Sequence, residues 1–190
     1  MAINLIEAVQ KKLGLPPLQK IDPNIQETKG NGKSSVDKLT QAALPAVLAA
    51  LYKTTRTEDG TWNLLNTEEP VNCMSDLFHG LDDQAIDKVA KYAGVDKEVA
   101  RTTMDEIAAE SVAVIRQVAG EKPGYEKIEH YMNGQRHQIL VHLPAALQMG
   151  KLLDDDTLDD RTNKMEGPVS TFMNKLGDTL ADGESKQGTF

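Results

Sequence analysis

With a single cysteine, Cys73, the chain has no partner for an internal disulfide, and nothing marks it for an oxidising compartment. Aromatic residues are almost as scarce. At 4% of 190 residues they leave the core to aliphatic side chains and supply no series of stacking platforms for bases or sugars. No apolar run reaches the roughly 18–20 residues that cross a bilayer. The opening Met1-Ala-Ile-Asn-Leu reaches Glu7 before any run of signal-peptide length, so no leader is expected. Basic residues number 21 against 29 acidic ones, and the net charge of −8 argues against a broad surface for phosphates or anionic lipid. The expected setting is the cytoplasm of a prokaryotic cell.

What the chain does have is aliphatic and small residues at helical spacing. Between Val36 and Leu51, the residues Val36, Leu39, Ala43, Val47 and Leu51 recur every three or four positions, and Leu44, Leu48 and Tyr52 widen the stripe. A helix apolar over so much of its circumference belongs at the centre of a bundle, where Ala42, Ala46, Ala49 and Ala50 let neighbours approach closely. Pro45 cannot donate to the Gln41 carbonyl, so a bend is expected there.

Other elements follow from caps and breakers. Asn4 and Gly14 bracket a short first helix. Asp82 opens a helix closed by Gly94, and Asp96 caps a long successor that runs to Gly120. Thr57–Gly60 reads as a turn, Trp62 as a plug for one end of the core, and Met74, Leu77 and Phe78 as a short helix stopped at Gly80. Tyr125–Met132 reads as a short helix ended by Asn133-Gly134. A second proline-bent helix is expected around Pro144, since Leu143-Pro-Ala-Ala-Leu147 echoes Leu44-Pro-Ala-Val-Leu48. The expectation is an all-α, compact bundle of about eight helices with two proline-bent core helices. It forms a single domain over 1–177, with an extended loop at 19–34 and a flexible tail at 178–190.

Gln41–Leu51, Leu77-Phe-His-Gly80 and Val89-Ala-Lys-Tyr-Ala-Gly-Val95 with Ala100 resemble the YidB-like domain of unknown function 937 over residues about 35–120. That resemblance implies a bacterial, all-helical protein without an assigned activity, and it carries no catalytic residue onto this chain.

Five groups of residues invite chemistry. Ile86–Val95 followed by Val99 and Ala100 resembles a helix-turn-helix, whose reading helix would present Lys97 and Arg101 to DNA. That helix also carries Glu98, Asp105 and Glu106, which repel phosphate, so a structural helix pair is preferred. Glu126, Glu129, His130, His137 and His142 are the main concentration of metal-ligand types, with Glu126 and His130 one helical turn apart, but no HExxH or cysteine pair accompanies them. Asp155, Asp159 and Glu166 have the spacing of a calcium loop, yet Asp160 stands where such a loop needs glycine, and the run 154–160 reads as solvated and helix-capping. Gly30-Asn-Gly-Lys-Ser34 resembles a phosphate loop without its full spacing, and serine capping of the next helix is the simpler reading. Cys73 and His79 lie six residues apart with nothing to orient them as nucleophile and base.

Ligands and nucleophiles are dispersed while packing residues are concentrated. The expected function is therefore a non-catalytic interaction or scaffold protein. It binds a protein partner or itself and uses no cofactor. Helix-turn-helix DNA binding through residues 85–108 and a metal-dependent enzyme using residues 126–142 are the alternatives.

Overall fold

The computed structural model describes residues 3–21, 34–66, 73–120 and 124–159. These form α1 (Leu5–Leu13), α2 (Ser35–Thr54), α3 (Glu58–Asn66), α4 (Cys73–Leu77), α5 (Asp82–Ala93), α6 (Lys97–Ala119), α7 (Tyr125–Leu140), a 3-10 turn (Ala145–Leu147), α8 (Met149–Leu153) and α9 (Asp156–Asp159). Among the described residues there is no strand, and the all-α class expected from periodicity holds.

The second helix, α2, is the axis of the bundle. Every residue from Leu39 to Tyr52 is buried, and α4, α5, α6, α7 and α8 all pack against it. Fully burying a leucine contributes about 1.5–3 kcal/mol, and Leu44, Leu48 and Leu51 are each at 0% exposure. Ser34 starts this helix with a capping box: its hydroxyl accepts from the Asp37 amide and the Asp37 carboxylate accepts from the Ser34 amide. Pro45 stays inside one continuous helix. Buried Gln41 fixes two other segments to α2. Its Oε1 accepts from the Gln19 amide at 2.8 Å, and its Nε2 donates to the carbonyls of Gln19 and His142 at 3.0 and 2.8 Å. Ile21 also donates to Val141, so the described part of the expected 19–34 loop is held down.

The α5–α6 pair has the expected bounds. Gly94 sits at φ 69°, a left-handed turn that a side chain would strain, and the amide of Val95 closes back on Ala90. Further on, two expectations are corrected. Asn133-Gly134 does not end a helix, because α7 runs through it: Ile128, Tyr131, Met132, Gln135 and Ile139 bury one continuous face, and that gain outweighs the unfavourable glycine. Pro144 does not lie inside a helix. α7 stops at Leu140, and Pro144, at φ −64° and ψ 127°, leads into the 3-10 turn instead. The two Leu-Pro-Ala segments thus have different conformations, and only the α2 copy is a core helix.

Gly134 is exposed, has no left-handed φ, and has nothing within 4 Å of where a Cβ would stand. Gly134→Ala is therefore expected to raise stability by about 0.5–1 kcal/mol. Chemical denaturation reads this as a higher midpoint at an unchanged slope.

Candidate functional site

The residues singled out for chemistry are dispersed in the fold. Lys97 and Arg101 face the carboxylates of the preceding helix: Lys97 Nζ lies 3.6 Å from Asp83 and 3.2 Å from Asp87, and Arg101 pairs with Asp82 and Asp83. The Arg101 hydrogen bond, with Lys97 beside it, holds the Asp83 carboxyl below its ordinary range. Hydrogen bonding to Asp87 raises Lys97, and hydrogen bonding to Asp83 raises Arg101. Both cations are engaged across the α5–α6 turn, so a phosphate would have to compete with carboxylates already in place.

Glu126, His130 and His137 lie exposed along one side of α7. His130 and His137 are two turns apart, about 10 Å at 1.5 Å rise per residue, which is too far for one ion. His142 follows the helix. Its Nδ1 lies 2.7 Å from the Gln138 carbonyl, which can only accept, so Nδ1 carries the proton. Among the described residues no three His, Cys, Asp or Glu side chains come together as metal ligands.

Asp155 is not solvated, contrary to the reading of the acidic run. It is 8% exposed, accepts from the Thr157 amide and hydroxyl at the start of α9, and pairs with Arg56 Nη1 at 2.7 Å. Burial pushes its carboxyl upward, but the Thr157 hydrogen bonds and Arg56 outweigh burial and leave it below its ordinary value. Glu166, Gly30–Lys33 and the expected tail at 178–190 lie outside the described residues.

Sequence reasoning missed a cleft of about 780 Å³ walled by α3, by α4 with the turn after it, and by α6. Its floor is Ala109, Val112 and Ala113 of α6, and Leu64 and Leu77 close its sides. Thr57–Gly60, read as a turn, is instead the start of α3: the Thr57 hydroxyl accepts from the Gly60 amide at 3.1 Å, and the Thr61 amide closes on the Thr57 carbonyl. Once 58–66 is helical, Thr61 and Leu64 share the buried face. Trp62 stands about 200° from Leu64 at 100° per residue and points away from the core. It lines the cleft and is 62% exposed, so the expected core plug is corrected to a rim residue. The signal for this was in the sequence, in the helical phase of Trp62, Asn63 and Asn66 against Thr61 and Leu64.

Polar groups ring the same cleft. Arg116 reaches from α6 to donate to the Leu64 carbonyl at 3.2 Å, fixing α3 to the floor helix. Asn66 donates from Nδ2 to the Trp62 carbonyl. After α4 the chain closes with the amide of Gly80 on Ser75 and that of His79 on Asp76, a Schellman arrangement with histidine in the left-handed seat at φ 51°. A histidine held there costs of order 1–2 kcal/mol, and it places His79 in the cleft wall. Elsewhere, burial raises Asp105 and Tyr125 and pushes Tyr131 up to about 12.

Residues 5–70 match the family model described as bacterial protein of unknown function (DUF937), the family to which the motifs point. The match starts before the expected stretch and ends earlier. It takes in α1, α2 and α3, including Trp62 and its wall of the cleft, and stops short of Leu77–Gly80 and Val89–Ala100. No curated protein and no solved structure matches the chain.

Proposed function

We propose that this chain is a non-catalytic interaction protein of the bacterial cytoplasm, holding a polypeptide partner, either another protein or a second copy, at the cleft between α3, α4 and α6. The observation that carries this reading is Trp62. Among the described residues it is the one exposed aromatic side chain, at 62%, and it lines a concave site; tryptophan is among the residues enriched as binding anchors. Phe78, Tyr52 and Tyr131 are buried in the usual way. Support against DNA reading comes from the engagement of Lys97 and Arg101 by three aspartates. No helix among the described residues is long and apolar enough to cross a membrane.

Native mass spectrometry of the protein taken gently from its own bacterium tests the reading. The wild-type chain is expected to retain a polypeptide that Trp62→Ala releases, while circular dichroism stays unchanged because Trp62 contributes little to the core. A mass adduct removed by a chelator, or turnover of a defined metabolite, contradicts it.

A further inference from the structure

We propose that Asn133 is a self-modifying residue: α7 holds it unreactive, local opening of that helix lets it deamidate to isoaspartate, and the product frees α1 from α7. Asparagine before glycine is the dipeptide most prone to this chemistry, because no side chain on the second residue hinders attack by its amide nitrogen. Two such pairs occur in the chain, Asn31-Gly32, outside the described residues, and Asn133-Gly134. Asn133 and Gly134 are both exposed, and nothing stands within 4 Å of where a Gly134 Cβ would be, so no packed neighbour covers the glycine.

The step consumes only water. The Gly134 nitrogen bonds to Asn133 Cγ, its proton passes to solvent, and the bond from Cγ to Nδ2 breaks to release ammonia. Water then opens the five-membered imide at either carbonyl. Opening at Cγ gives aspartate, whereas opening at the main-chain carbonyl gives isoaspartate, whose backbone runs through Cβ and Cγ. The closed helix prevents the first bond from forming. Gly134 lies inside α7, where its amide is held by the carbonyl four residues back, that of His130. Asn133 must also leave its helical dihedrals to bring Cγ onto that nitrogen. Conversion therefore follows the fraction of time that α7 is open at this point, where glycine is the least favourable residue for the helix.

Isoaspartate adds a methylene to the main chain, which puts every later residue of the helix out of phase. Gln135 is the first buried residue to feel this. Its side chain accepts from the Leu5 amide at 3.0 Å and donates to the Ile3 carbonyl at 3.4 Å, joining the start of α1 to α7. Ile139 loses register in the same way with Ile128, Tyr131 and Met132, which share its buried face. Plain aspartate keeps the normal backbone and leaves both in place.

Peptide mapping by mass spectrometry follows both Asn-Gly pairs in the full chain, in buffer and in urea. In urea, Asn31 and Asn133 are expected to convert at similar rates. In buffer, Asn133 is expected to convert about tenfold or more slowly than in urea, and Gln135→Ala, which removes the join to α1, is expected to recover much of that loss. Wild-type chain converted in urea is then returned to buffer beside Asn133→Gln treated identically, which carries every change except the one at 133. Hydrogen exchange of the α1 amides is expected to accelerate in the wild-type sample alone, with α2 still protected. The proposal is overturned by equal rates at Asn133 in buffer and urea, by no conversion there in urea, or by an unchanged rate in Gln135→Ala. It is equally overturned if α1 keeps its protection in the converted chain, or if α2 loses protection to the same extent.

Discussion

Replacing Gly60 with alanine is expected to lower stability by about 3 kcal/mol, the upper end of what overpacking costs. Gly60 occupies the third position of α3, directly over the end of α2. A Cβ there would collide with the Thr54 carbonyl oxygen and stand 2.7 Å from Thr57 Oγ1. Neither neighbour can move cheaply. Thr54 is the last residue of the buried central helix, and the Thr57 hydroxyl is held as the cap that satisfies the Gly60 amide. The helix propensity gained by alanine, at most about 1 kcal/mol, is too small to compensate. Because Gly134→Ala is the same change in another helix with open space around it, the two variants should move the urea midpoint in opposite directions. Gly60→Ala should also shift Trp62 emission, since α3 carries one wall of the cleft.

Arg56→Ala is expected to cost about 2 kcal/mol, less than the roughly 3–5 kcal/mol for breaking a fully buried pair, because Arg56 itself is partly exposed. Asp155 is buried and would retain its two Thr157 hydrogen bonds but lose its cation. The same arginine lies 5.9 Å from the Tyr52 ring centroid, and its carbonyl accepts from the Tyr125 hydroxyl, so it joins α2 to both α7 and the C-terminal turns. Lys53 adds a hydrogen bond to the Leu153 carbonyl beside it. The pH dependence has a definite sign. The Asp155 carboxyl is held below 3.8 in the fold, so its contribution is present above that value and is lost as pH falls through the folded value. Arg56→Ala raises the folded value toward the unfolded one. Its deficit relative to wild type should be full at pH 7 and should shrink below about pH 4. Denaturation curves at pH 7 and pH 3 check this, and an equal deficit at both would place the effect in packing instead of charge.

The helices that could be read from sequence are those whose burial is set by their own periodicity. α2 declares itself through Leu39, Ala43, Val47 and Leu51, and α5 and α6 through their apolar faces and Gly94. Local breakers misled where tertiary packing decided the outcome. Gly134 is tolerated because buried residues on both sides of it hold α7 together, whereas Pro144 does interrupt the chain because α7 has already ended at Leu140. The Arg56–Asp155 pair spans 99 positions, and Gln41 reaches His142 across 101; no local pattern announces either contact. The candidate site was hidden for a related reason. Its walls come from three separate helices, and its anchor was assigned to the core because tryptophan is usually buried, although the phase of α3 turns Trp62 outward.

In-cell photo-cross-linking tests the central claim, that the Trp62 cleft holds a polypeptide. A benzophenone amino acid is placed at position 62 in one strain and at Val99, which is also exposed but lies on α6 outside the cleft, in another. The account predicts a discrete polypeptide adduct from position 62 and none from position 99. No adduct from either position, or the same adducts from both, would contradict it.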